Sequence, residues 1–190
     1  MKNAIIGEKV FLRAPTSNDQ AEFIKLNSAS KRSHRGLVSP PTTTEQFATF
    51  LQRSSKEDSV CLFICLVADG AIIGAINLSQ IFRGGFQNAY LGYFVGAHYA
   101  GRGYMSEALQ LVLRYAFEHL KLHRLEANIQ PGNLPSIALV KRAGFVHEGY
   151  SRRYLKVCGR WRDHERWAIL AEDWKTKTGN SGQRASQQRL

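Results

Sequence analysis

The chain has 190 residues, 44% hydrophobic and 22% charged, a composition that suits one globular domain with a sizeable core and excludes a disordered or fibrous chain. The opening "MKNAIIGEKVFLR" holds too short an apolar run for a secretory signal, and the longest apolar stretch, 60–68, is far short of a membrane span, so a cytoplasmic location without membrane contact is expected. A formal charge of +11 implies an anionic partner, either nucleic acid, a ribosomal surface or a small polyanion.

In chain order, "VFLRAP" reads as a first strand and "SNDQAEFIKL" as a helix capped at Ser17 or Asn18. A second helix starts at Thr42 or Thr43, since Glu45 and Gln46 follow at capping-box spacing, and it carries Phe47, Phe50 and Leu51 on one face. "VCLFICLVA" and "AIIGAINLS" are strands of a hairpin turned at Asp69-Gly70. Period two puts Cys61 and Cys65 on one buried side, and their spacing matches neither a zinc ribbon nor a redox pair. "FRGGFQNA" is a looser connection to the strand "YLGYFV".

From Met105 the apolar residues 105, 109, 112, 116 and 120 recur at helical spacing, with 108 and 113 on the same side, and the helix ends near His119 to Lys121. "HRLEANI" must then lie parallel to "YLGYFV", because a helix separates the two. "PGNLPS" opens a shorter helix to Arg142 with Gly144 as its C-cap, and a final hairpin turns at Cys158-Gly159. The expected class is α/β of the α+β type: a mixed, mainly antiparallel sheet flanked by helices, ordered β-α-α-β-β-β-α-β-α-β-β. Residues 1–178 form the domain and 179–190 a polar, disordered tail. The basic excess falls late, with eight Lys or Arg between Lys141 and Arg166 against the three acids Glu148, Asp163 and Glu165.

"HYAGRGYMSEAL" places Gly101 and Gly103 at the entrance of the long helix. Glycines there make either an ordinary turn or a bare-backbone anion site in which unpaired N–H groups and the helix dipole face a phosphate, with Arg102 adding a full charge. A dinucleotide fingerprint would need a third glycine where Ser106 stands and an acid at the end of the next strand; a triphosphate loop would need Lys-Ser or Lys-Thr after the glycines. What remains is a diphosphate without hydride or metal chemistry, as in coenzyme A.

"AGRGYM", then "N-x-x-S" at Asn133 to Ser136, then "RAGF" resemble the GNAT superfamily of acetyl-CoA-dependent N-acetyltransferases. "FRGGFQNAYLGY", "GRGYMSEAL" and "EGY…GRWRDH" are similar to its RimJ/RimL branch, the ribosomal-protein-alanine type, over about Asn77 to Leu170. The resemblance implies acetyl-CoA as cosubstrate and no metal, with pantetheine along Tyr93, Phe94 and Val95. It puts the pyrophosphate on Gly101, Arg102, Gly103, Tyr104, Met105 and Ser106, and has Asn133 hydrogen-bonding the pantetheine. Ala100 stands where the family has Gln or Arg, and Met105 where it has a small residue. The family's tyrosine acid falls at Val140 and a glutamate base at Leu155, so Ser136 becomes the expected proton donor and the base stays open.

The expected reaction is direct attack of an amine on the thioester in a ternary complex, with the oxyanion met by a strand N–H near Phe94 or Val95, where the strand splays from its parallel neighbour. A free α-amino group, pKa near ~8, needs less help than a lysine near ~10.4, which favours a protein N-terminus as acceptor. The resemblance makes that protein ribosomal, with the basic surface near ribosomal RNA. A polyamine or antibiotic acceptor, or a ribosome- or nucleic-acid-binding module without activity, are the alternatives. Of the six histidines, those at 98, 119, 123, 147 and 164 read as surface or capping residues, with the "RWRDHERW" strand as an alternative wall of the acceptor groove.

Overall fold

A computed structural model describes residues 4–174; the expected domain boundary at 178 and the tail 179–190 lie outside the described residues. Eight strands form one sheet: β1 (Ile5–Ile6), β2 (Val10–Arg13), β3 (Val60–Leu66), β4 (Ile72–Phe82), β5 (Asn88–Val95), β6 (Arg124–Ile129), β7 (Val146–Val157) and β8 (Arg160–Leu170). The sheet order is β1-β2-β3-β4-β5-β6-β8-β7, and β5–β6 is its parallel pair. The helices are α1 (Gln20–Ala29), α2 (Lys31–His34), α3 (Thr44–Ser54), α4 (Tyr104–Arg114) and α5 (Leu134–Ala143). Strand β1 and helix α2 are additions to the expected order; two and four residues are too few for a period to register.

The two faces of the sheet carry separate cores. On one, Leu109, Val112, Leu113 and Ala116 lie fully buried against Ile76, Leu78 and Leu125, each large side chain contributing about 1.5–3 kcal/mol by leaving water. On the other, Phe23 and Phe47 of α1 and α3 pack on Phe63, Cys65 and Ala75. Cys61 and Cys65 are both buried as the alternation requires, and burial pushes their thiols up to about 12 and about 11.

Thr43 caps α3, its hydroxyl accepting from Gln46 N–H at 3.3 Å while the Gln46 side chain accepts from Thr42 N–H at 2.8 Å. The cap expected at Ser17 or Asn18 is displaced. Ser17–Asp19 is a single 3-10 turn ahead of α1, and Asp19 gathers Thr16 N–H at 2.7 Å and the Arg13 guanidinium at 2.6 and 2.8 Å. Burial alone would raise the Asp19 carboxyl; the bonds from Arg13 and Thr16 outweigh it and hold the group below its ordinary value. Past α4 the helix widens into a π turn, Tyr115–His119, closed by Leu120 N–H on Tyr115 O at 3.0 Å.

Candidate active site

Gly101 and Gly103 have φ of 75° and 85°, the left-handed region that costs an L side chain ~1–2 kcal/mol. A Cβ on either would meet nothing within 4 Å, so the glycines serve a backbone conformation beneath open space and not a crowded contact. Gly103 is the N-cap of α4 and supplies no side-chain acceptor. Glu107 N–H is the first to bond back, to Gly103 O at 3.1 Å, which leaves the N–H groups of Tyr104, Met105 and Ser106 without an intrahelical acceptor. Glu107 also fixes the helix entrance, since its carboxylate accepts Lys9 N–H at 2.9 Å from the start of the β2 edge.

Strands β5 and β6 pair at Asn88–Arg124, Ala89–Leu125 and Tyr90–Glu126, and there the pairing stops. Beyond it β5 follows β4 to Gly74–Val95, and β6 follows β8 to Ile129–Glu165, so a wedge opens between them. Gly96 N–H donates to Ile73 O at 2.8 Å; ladder alternation then turns the N–H of Phe94 toward β4 and those of Tyr93 and Val95 into the wedge. Of the two positions expected for the oxyanion donor, the register selects Val95.

Helix α5 forms the opposite wall. Asn133 is its N-cap, Oδ1 accepting from Ser136 N–H at 3.4 Å, so Ser136 is a first-turn residue and not the cap. The Tyr93 hydroxyl donates to Ser136 O at 3.4 Å, and burial pushes that phenol up to about 12, so it keeps its proton at neutral pH. Val140, where the family's tyrosine would stand, is fully buried in the core, and Leu155 is exposed on the final hairpin.

Helix α2 and the turn after it, residues 34–39, cross the open end of the wedge as a strap. His34, buried, donates from Nε2 to Val95 O at 3.0 Å; a carbonyl only accepts, so this nitrogen carries the hydrogen, and Nδ1 is buried without a partner among the described residues. On the other side of the wedge Gln130 Nε2 donates to Gly36 O at 2.8 Å. Farther along, Ser39 Oγ meets Cys158 Sγ at the hairpin turn, 3.1 Å away.

These pieces enclose a cavity of about 590 Å³. Tyr93, Phe94, Val95, Gly101, Gly103, Tyr104, Met105, Ser106, Asn133 and Ser136 all line it, and so does Ala100. Arg102 is exposed on the loop and is not part of the lining. Sequence reasoning missed Ser33, His34, Leu37, Val38 and the cation of Arg142, which also line it. His164, expected at the surface, is instead buried: Nδ1 bonds Arg162 O at 3.0 Å, the ring meets Tyr154, and burial lowers its pKa. Among the described residues no three His, Cys, Asp or Glu gather as for a metal, and no helix is long and apolar enough to cross a membrane.

Free N–H groups at one end, an unpaired strand edge along the middle and hydroxyls beyond it are an arrangement suited to an acyl-CoA-dependent acyltransferase. The backbone at the two left-handed glycines is uncovered, with the bare N–H groups that a diphosphate would need beside it. Residues 9–146 match the family described as acetyltransferase (GNAT) domain, and the chain belongs to it: it is an acetyl-CoA-dependent N-acetyltransferase. The sequence is 40% identical over 129 residues to the probable N-acetyltransferase YjcK of Bacillus subtilis, covering 68% of this chain and 71% of that one. It is 44% identical over 103 residues to the [ribosomal protein uS5]-alanine N-acetyltransferase of Escherichia coli, spanning 54% of this chain and about half, 53%, of that relative. Among solved structures, Mycobacterium smegmatis RimJ in complex with CoA-disulfide superposes with a TM-score of 0.78 at 29% identity, over 86% of this chain and 82% of that one. The spermidine N-acetyltransferase of Vibrio cholerae, solved with CoA and spermine, shares the fold at 20% identity and a TM-score of 0.75, over 88% and 99%.

Proposed function

We propose that the enzyme acetylates the α-amino group of a protein N-terminus, that of a ribosomal protein, in the cytoplasm and by direct attack in a ternary complex. The observation that carries this reading is the lining of the cavity, which holds no Asp or Glu among the described residues. A carboxylate beside the acceptor would stabilise its ammonium form, whereas the attacking amine must be neutral. An α-amine with a pKa near ~8 reaches that state without a strong base, and a polyamine nitrogen or lysine near ~10.4 does not. The uS5-alanine relative supports the ribosomal acceptor; the likeness to the spermidine enzyme is one of fold.

Acetyl-CoA supplies the activated acyl group. In this reading the N–H groups from Gly101 to Ser106 hold its diphosphate, with Arg102 able to add charge from outside, and Asn133 offers its remaining amide hydrogens to the pantetheine. The Val95 N–H meets negative charge as it develops on the acyl oxygen. Ser136, beside the Tyr93 hydroxyl, gives a hydrogen to the departing sulfur and takes one back from the attacking nitrogen, which sheds it on becoming the amide.

The test is mass spectrometry of peptides incubated with enzyme and acetyl-CoA. Peptides with a free N-terminal Ala or Ser gain one acetyl group, while N-terminally blocked peptides containing lysine, and spermidine, react far more slowly. Strong turnover of spermidine or of blocked lysine peptides, with none at free N-termini, would overturn the reading.

A further inference from the structure

The face of the sheet that carries Phe94 also carries Gly92, which is exposed on the central strand β5 with nothing within 4 Å of a built Cβ. The backbone of β5 is therefore uncovered at this point on that face. Asn77 pairs with Gly92 on one side, and Asn128, two residues past the last β5–β6 pair, stands on the same face across the wedge. Asn128 pairs with Arg166, so alternation along β8 puts Arg166, His164, Arg162 and Arg160 on the groove face and Asp163 and Glu165 on the other.

Arg162 stands apart from the rest of that row. It is half-buried, its Nε is buried with no acceptor, and no carboxylate lies within ion-pair distance of it among the described residues. The acids near it in sequence are occupied elsewhere. Glu148 is bound by Arg124, Asp163 by the Tyr150 hydroxyl and Arg153 N–H, and Glu165 by Trp167 Nε1 at 3.0 Å. Arg166 is less free, since its charge already acts on Glu148 and its guanidinium lies over Gly149. A partly desolvated guanidinium with an unused N–H is costly unless something supplies an acceptor. The strap, fastened to Gln130 and touching Cys158, crosses the hairpin at the end where Arg162 sits.

We propose that Arg162, with Arg160 beside it, is a carboxylate-binding subsite for the acceptor, so that the preferred substrate is a protein N-terminus with an acidic side chain within the first few residues after the reacting amine. This rests on the N-terminal acetylation reading and deepens it. The amine enters the wedge over Gly92, and the chain behind it runs along the groove past β8, where the planar fork of Arg162 takes the carboxylate.

The experiment compares synthetic peptides that begin with Ala and carry Glu at the second, third or fourth position with the same peptides carrying Gln. The best Glu peptide has a kcat/KM about tenfold above its Gln counterpart, carried by KM and reduced by salt. Arg162→Gln removes the difference while leaving the Gln peptide's rate and acetyl-CoA affinity unchanged, and Arg162→Glu shifts the preference to Lys-containing peptides. Arg160→Gln, at an exposed position, gives a partial loss and stands in should the Arg162 variants melt early. Equal rates for Glu and Gln peptides in the native enzyme would overturn the subsite and leave N-terminal acetylation standing. A preference that survives Arg162→Gln would overturn the residue assignment. Turnover of spermidine with no reaction at any free N-terminus would remove the reading beneath both.

Discussion

At the loop end of the cleft the binding surface is backbone: two left-handed glycines and the N–H groups of Tyr104, Met105 and Ser106, all contributed by one short stretch of chain. At the strap end it is side chains, contributed by segments that meet only after folding: His34 to Val95, Gln130 to Gly36, Ser39 to Cys158. In the reading proposed above, the diphosphate, common to every acetyl-CoA, meets atoms that side-chain substitution does not remove. The acceptor, which differs from enzyme to enzyme, meets atoms that substitution does change. The two ends should therefore fail differently when mutated.

The largest effect is expected at the loop. Gly103→Val forces a β-branched residue to a φ of 85° and disturbs the unpaired N–H groups behind it, so acetyl-CoA affinity measured by titration calorimetry falls by at least about a hundredfold. The core does not touch this position, since a Cβ there meets nothing, and the loss of melting stability stays near ~1–2 kcal/mol. Arg102→Ala, outside the cavity lining, costs much less. Equal affinity in the Val variant and the native enzyme would show that the loop is an ordinary turn, and the contrast between the two ends would collapse.

The same contrast explains what could be read before folding. Gly101, Gly103 and the helix behind them are consecutive, so one motif reports them; the cap at Thr43 is likewise local, and Asp69-Gly70 marks the hairpin, although its turn spans 67–70, closed by Leu66 N–H on Ala71 O, and not two residues. His34 is separated from its carbonyl by 61 positions, Gln130 from Gly36 by 94 and Cys158 from Ser39 by 119. "KRSHRG" holds no apolar period, so nothing marked it as a helix or as a wall of the cleft. His164 misled for a related reason. Alternation assigned it to the arginine side correctly, but its burial depends on Tyr154, brought over it where β7 slips register against β8 between Ser151 and Leu155. The wedge itself was expected from the parallel crossover, yet which N–H it frees follows from the Gly96–Ile73 bond, a tertiary fact.

Between the two ends sit the hydroxyls of Ser136 and Tyr93, and their variants give the next largest effect. Ser136→Ala lowers kcat by about a hundredfold, the lower end for a proton donor because a thiol with a pKa near ~8.5 already leaves fairly well. Acetyl-CoA affinity and melting temperature hold, since Asn133 caps α5 through the Ser136 N–H, which Ala retains. Tyr93→Phe keeps the ring and loses the donor, so a smaller fall there assigns the transfer to Ser136 and a larger one to the phenol. With that phenol pushed up to about 12, Tyr93 stays protonated from pH 6 to 9. The rate then rises with pH through ~8 as the acceptor amine loses its proton, and levels off. A falling limb within that window would mean that some other group on the enzyme must stay protonated. Full activity in both variants would leave solvent as the donor and reduce this middle region to a wall.

The smallest effect, and the one that tests the strap end directly, is at His34. Its Nε2–H holds the Val95 carbonyl, and the N–H of the same peptide unit, that of Gly96, is held on Ile73 O, so the two bonds pin both sides of the Val95–Gly96 peptide. His34 is a positioning residue in this account; by fixing the peptide that follows Val95 it restrains the Val95 N–H on the other side of the same residue. His34→Phe preserves the ring contact with Phe94, 5.3 Å between centroids, and removes the donor. The loss of one neutral hydrogen bond, ~0.5–1.5 kcal/mol, corresponds to a fall in kcat of about two- to tenfold with KM for acetyl-CoA unchanged. His34→Gln places an amide N–H where Nε2–H was and restores most of the rate, which a role in packing alone would not predict, because Gln fills the ring's volume poorly. If instead Phe is fully active and Gln is impaired, His34 is a filler against Phe94, and the strap closes the wedge without aligning anything inside it.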